Sequence, residues 1–234
     1  MIQFSLGAQD KKKDIYKEFD ASSFKDAGPV KIKDSSDLFQ HLIGVKAGYA
    51  MANVKFSQEI EHKGINTPVN FGIYYTYYHS LWNSMPFFGI QTGLEYTESG
   101  YTILTGTVES GDRKETQERY KSVELPLISQ FRIDFWKMRV LLNLGMFGAY
   151  KISSNLEGGI PSTTNKMEAG VIGGGGLAYK FHPFEIQLEC NYRYAFSNLY
   201  DPQKYSKDSW VFAKDNRIIF SLGLFFNLDK RNKH

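Results

Sequence analysis

The sequence predicts an all-β protein: an eight-stranded antiparallel up-and-down transmembrane β-barrel. Three observations predict it. The composition is rich in aromatics and glycine, eight segments alternate apolar and polar side chains, and the connections between them alternate long and short. Aromatic residues make up 15% of the chain, with 18 Phe and 15 Tyr, and there are 21 Gly. Tyr and Phe suit pleated strands, while Gly serves where strands twist or pack closely. The chain has no run of about 18 apolar residues, so it carries no transmembrane helix, but barrel strands need only about 9–11 residues each.

The eight segments are 42–56, 69–80, 86–97, 119–133, 137–152, 167–181, 184–197 and 215–228. On the fifth, Val140, Leu142, Leu144, Met146 and Tyr150 share one face, and Arg139, Asn143 and Lys151 the other. On the seventh, Ile186, Leu188, Cys190, Tyr192 and Phe196 oppose Glu185, Gln187, Glu189, Asn191 and Arg193. On the eighth, Ile218, Phe220, Leu222, Leu224, Phe226 and Leu228 oppose Arg217 and Ser221. Successive side chains of a strand point to opposite faces, so each segment has one apolar and one polar side. The first segment places Lys46 among its polar residues, and the third and fourth add Glu95, Glu124 and Arg132.

Alternation alone does not say whether lipid lies outside or an apolar core lies inside. The connections decide in favour of lipid: read from these segments, long ones follow the odd-numbered strands and short ones the even-numbered strands. Outer-membrane barrels have short periplasmic turns and long external loops. Trp82, Phe135-Trp136 and His182-Pro183-Phe184 fall in the short connections, where interfacial aromatics collect. The expected location is the bacterial outer membrane, with outer-membrane lipids and the barrel-insertion machinery as partners. The competing reading is a soluble lipocalin-like binder, whose aliphatic faces would point inward.

Residues 1–41 read as a leader, 42–228 as the barrel and 229–234 as a hydrophilic tail. Met1–Ala8 is apolar with small residues before three lysines, as in the end of an export signal peptide, and an ordinary frayed terminus gives the same pattern. A net charge of +3 gives no argument for nucleic acid. Cys190 is the sole cysteine, which excludes an intramolecular disulfide and a cysteine-based zinc cluster.

Several stretches resemble the outer-membrane β-barrel domain family of Bacteroidetes, the porin-family or PorT-like proteins. They are Gly93-Leu94-Glu95-Tyr96 with Gly100-Tyr101, Val123 to Ile128, Asn143-Leu144-Gly145 with Gly148-Ala149-Tyr150, and Gly173 to Tyr179. The last, Ser221 to Leu228, is similar to the carboxy-terminal insertion signal, with Ser221, Gly223, Phe226 and Leu228 at its characteristic positions. The resemblance implies a cell-surface barrel, and it implies a secretion or gliding apparatus as a candidate partner.

The candidate sites follow from the polar faces. Lys46, Arg132, Arg139, Lys151, Arg193 and Arg217 face Glu95, Glu124, Glu168, Glu185 and Glu189 in a lumen with room for little besides side chains. A mutually satisfied charge network that plugs the barrel is the leading reading, and a narrow ion path the alternative. Tyr200, Tyr205, Trp210 and Phe212 mix aromatics with charge in the last long connection, either as a recognition surface or as a loop folded over the mouth. Pro126 within a strand should mark a bulge or kink. Gly173–Gly176 lacks the Gly-Lys-Ser/Thr of a phosphate loop and reads as a close-packing strip. His79 and Ser80 point to opposite faces, which argues against a hydrolytic triad. The histidines show no metal-ligand spacing, so no metal, cofactor or enzymatic activity is expected.

Overall fold

The computed structural model describes residues 39–58, 60–79, 87–105, 114–201 and 212–229. Eight strands form one closed antiparallel ring in chain order: β1 (Phe39–Phe56), β2 (His62–His79), β3 (Phe87–Thr105), β4 (Lys114–Phe135), β5 (Met138–Ser154), β6 (Met167–Phe181), β7 (Phe184–Ala195) and β8 (Ala213–Asn227). The ring closes where β1 runs beside β8, from Leu42 opposite Asn227 to Phe56 opposite Ala213. Closure pairs every strand on both sides, which removes the open edges that a flat sheet would present to lipid.

The aliphatic side chains point outward. Ile43, Val45, Ile73, Leu94, Leu125, Leu142, Leu188, Leu222 and Leu224 are all exposed, against the inward orientation that a lipocalin-like binder requires. Aromatics flank this band at both ends. Near the chain termini lie Phe39, Phe135, Trp136, Tyr179, Phe181 and Phe184; towards the other end lie Tyr49, Phe71, Tyr150, Tyr192 and Phe196. Amphipathic rings settle at the two boundaries of a hydrocarbon layer, so the pattern marks a lipid-embedded belt. The two-residue turn after β4 puts Trp136, 87% exposed, at φ 55° in the left-handed region, with the Lys137 ammonium 5.4 Å from its ring centroid.

The strands outrun the segments read from the sequence. β2 begins at His62 rather than 69, β3 continues to Thr105 and β4 begins at Lys114. The first connection is therefore only 57–61, and the strict long–short alternation fails at the first hairpin. These extensions carry Lys63, Asn66, Thr102, Glu115 and Gln117, beyond the apolar band, where two-residue apolar alternation has no reason to persist. The barrel also starts earlier than expected. Phe39, Gln40 and His41 belong to β1, with Gln40 buried inside, while 1–38 lies outside the described residues.

Pro126 produces no register shift. Thr92 pairs Leu127 and Glu95 pairs Glu124 on the same register, and Pro126 itself pairs Phe147 of β5. The lapse in pairing falls on the β3 side, where the missing N–H would have donated, and the Thr92 hydroxyl donates to the Pro126 carbonyl at 3.0 Å. The register shifts lie elsewhere, at Gly48/Ala50 of β1 against β2, at Gly64/Asn70 of β2 against β3 and at Lys121/Ser122 of β4 against β5. The first switches the inward set of β2 from Ile65 and Thr67 to Asn70, Gly72 and Tyr74.

Candidate functional site

Because parity sends every second residue inward, the polar faces of eight strands converge on one axis, and their side chains meet in tiers. At the end near the termini, Gln40 accepts from Arg132 Nη1 at 2.7 Å and from Arg139 Nη2 at 2.9 Å. Asp134 Oδ1 lies 3.0 Å from Arg132 Nε and 3.3 Å from Arg139 Nε, and Glu185 pairs Arg139. The Arg132 guanidinium is wedged between the rings of Tyr78 and Phe87, 4.3 and 4.4 Å from their centroids. Cation–π contact and carboxylate pairing together offset the desolvation of a fully buried guanidinium.

The next tier is built on Glu189. One of its oxygens receives Lys46 Nζ at 2.7 Å, and the other receives the Asn143 and Asn191 amides at 2.9 Å each. Lys46 Nζ also donates to Gln91 at 2.7 Å and lies 4.7 Å from the Tyr74 ring centroid. Gln130 donates to Asn143 at 2.8 Å and accepts from Tyr78, linking this tier to the one below.

The central tier is an Arg–Glu ladder. Arg193 grips Glu95 through both terminal nitrogens, at 2.9 and 2.7 Å, and also pairs Glu124. Asn70 and Tyr74 donate to Glu95 as well. Arg217 joins Glu124 and Glu168 at 3.1 Å each, and its Nε reaches Asp215 at 3.4 Å. Lys151 Nζ closes the chain on Glu168 at 2.8 Å. Every member of this ladder is buried. Mutual pairing offsets the desolvation of these buried charges and rigidifies a low-dielectric interior, although Arg193 Nε has no hydrogen-bond partner among the described residues.

Above the ladder the interior turns apolar. Val54, Tyr101, Tyr120, Leu199, Tyr200 and Ala213 form a buried cluster, with Phe56 and Ile103 against it. Glu118 accepts from the Tyr101 and Tyr120 hydroxyls at 2.7 Å each. Leu199 and Tyr200 come from the connection after β7, held by the Thr164–Tyr200 bridge and by Leu199 N–H donating to the Ala213 carbonyl at 2.8 Å.

The sequence-read charges Lys46, Glu95, Glu124, Arg132, Arg139, Lys151, Glu168, Glu185, Glu189, Arg193 and Arg217 are all buried inside the ring. Reading the sequence missed Asp134 and Asp215, taken for turn or strand-end residues. Each stands two positions from an inward arginine, and that parity was the available signal. It also missed Tyr74 and Tyr78, which share parity with Asn70 and Thr76 and point inward. Of the two readings of the last long connection, Tyr200 fits the loop folded over the mouth, since it is buried and its ring completes the apolar cluster. Phe212 is exposed at 40%, while Tyr205 and Trp210 lie outside the described residues, as do Ser80 and Trp82. On β8, Ser221 and Gly223 face inward and Phe226 and Leu228 outward. Among the described residues no His, Cys, Asp or Glu grouping could hold a metal ion.

The chain resembles solved structures only distantly. The crystal structure of the outer membrane protein OprG from Pseudomonas aeruginosa aligns with 9% identity and a TM-score of 0.41, over 82% of this chain and 97% of that one. The solid-state NMR structure of the outer membrane protein AlkL in DMPC bilayers aligns with 14% identity and a TM-score of 0.37, over 82% and 92%. No curated protein matches the chain. Residues 36–201 match the family described as outer membrane protein beta-barrel domain, a span from before β1 to beyond β7. With lipid-facing aliphatics between two aromatic belts and a polar interior, this chain belongs to that family and is an outer-membrane protein.

Proposed function

We propose that the protein is a non-conducting, non-enzymatic outer-membrane barrel with a structural or surface-interaction role. The observation that carries this reading is the occupied lumen: buried ion-pair tiers are followed towards the outer end by the buried apolar cluster around Tyr101, Tyr120 and Tyr200. An ion crossing the lumen would have to displace paired side chains at each tier, and in the cluster the Glu118 carboxylate is already engaged by the Tyr101 and Tyr120 hydroxyls. Single-channel recording of the refolded protein in a planar bilayer should show no steady unitary conductance. A reproducible conductance with fixed ion selectivity would establish the narrow-pore reading instead.

The PorT-like resemblance favours a second reading, that of an accessory to a secretion or gliding apparatus. It rests on the segments from Gly93 to Tyr179 quoted above. Deleting the gene should then impair secretion or gliding, and unchanged secretion and gliding would remove this reading. In either case Ser221, Gly223, Phe226 and Leu228 serve as the signal for the insertion machinery, and Gly223→Asp with Phe226→Asp should lower the yield of inserted barrel.

A further inference from the structure

We propose that the outer rim at the β1–β8 seam binds the phosphorylated headgroup of an outer-leaflet glycolipid of the lipid A type. Lys55 and Lys214 stand directly opposite each other on the paired strands β1 and β8. Both side chains point away from the lumen, Lys55 exposed and Lys214 half-buried, and neither has an acidic partner among the described residues. Like charges directly opposite on neighbouring strands repel. The Lys63 ammonium at the same rim pairs Glu115, whereas these two lysines face each other across the seam. Asp215, next to Lys214, is turned inward onto Arg217 and does not neutralise the pair.

The height of the pair points to the ligand. Ile218 and Met51, four residues from Lys214 and Lys55 on the same outward faces, end the apolar band, and Asn216 and Asn53 intervene. The lysines therefore sit at headgroup level on the end opposite the chain termini, which faces outside the cell. A cleft of about 540 Å³ opens between them, walled by the aromatic rings of Tyr194, Phe196 and Phe212 with Asn198 and Ser57. The Lys214 ammonium is 5.8 Å from the Tyr194 ring centroid. Two ammonium groups can share phosphate oxygens, the rings pack against sugar faces, and the apolar band directly below takes the acyl chains. A soluble phosphate uses only the first of these contacts.

The refolded, full-length barrel in detergent micelles is titrated with bisphosphorylated lipid A, with dephosphorylated lipid A and with inorganic phosphate, and retention is read by native mass spectrometry. Bisphosphorylated lipid A is retained, and the Lys55→Gln/Lys214→Gln double variant loses on the order of tenfold to thirtyfold in affinity. Each single variant loses part of this, which keeps the test open should the double variant fold poorly. Lys121→Gln, an exposed lysine on β4, leaves the affinity unchanged. Equal retention of dephosphorylated lipid A, equal affinity for inorganic phosphate, or an unaltered double variant would each overturn the proposal.

Discussion

Arg193 shows how a buried charge is held here. Its guanidinium spans Glu95 and Glu124, so removing it leaves two carboxylates facing each other without their shared cation. Arg193→Met should destabilise the barrel by about 3–5 kcal/mol, measured by denaturant unfolding in micelles. Adding Glu95→Gln and Glu124→Gln should recover part of that loss, whereas a role confined to packing predicts no recovery. At this scale the sequence was most legible for charged residues, because parity on a strand assigns them to one face regardless of partner. It was least legible for tyrosine, which suits both lipid boundary and lumen. Tyr74 and Tyr78 turn inward because Glu95 and Gln130 accept their hydroxyls, a partnership set by neighbouring strands and invisible along their own.

At the level of the strand, β6 explains the run Gly173–Gly176. A Cβ on Gly174 would meet the Cys190 carbonyl at 2.3 Å and Asn191 Oδ1 at 2.4 Å, and one on Gly176 would meet the Leu188 carbonyl at 2.4 Å. Inward side chains there would collide with the backbone of β7 and crowd out the Glu189 and Asn191 side chains. Gly173 faces the other way with nothing within 4 Å. Gly174→Val should therefore sharply reduce the yield of folded barrel, while Gly173→Val should fold as wild type, both read by the mobility difference between heated and unheated samples in gels. The existence of the strands was legible from alternation. Their ends were not, because β2, β3 and β4 continue as polar strands past the apolar band, where the pattern stops but the hydrogen-bonded ladder does not. Pro126 was misread for a related reason: its missing donor falls in a lapse between β3 and β4 that costs no register.

For the whole molecule, the decisive property is which face meets lipid. Fluorophores attached at positions 142 and 224 should be quenched by brominated lipids, since Leu142 and Leu224 are 51% and 46% exposed on the outer surface. Shielding at both would reverse the inside and outside of the barrel. Leu222→Arg, mid-band and 59% exposed, should cost about 2–4 kcal/mol in a bilayer and much less in the interior of a polar barrel. The closed eight-stranded order was legible because neighbours in sequence pair in space. The apolar closure was not, because Val54, Tyr101, Tyr120 and Tyr200 come from four distant parts of the chain and share no local pattern.

The long β3–β4 hairpin has a consequence for what the cell shows to its surroundings. Beyond Tyr96 and Val123 it keeps nine paired positions per strand, 97–105 against 114–122, which is about 30 Å of ladder at ~3.3 Å per residue. With the usual barrel tilt, its last described pair, Thr105 and Lys114, stands on the order of 20 Å above the lipid boundary. It is braced by β2 and by the Lys63–Glu115 pair at 3.0 Å. An antibody or a phage tail fibre would meet this stiff mast before it met the membrane, and a short affinity tag grafted at its end would be read on intact cells.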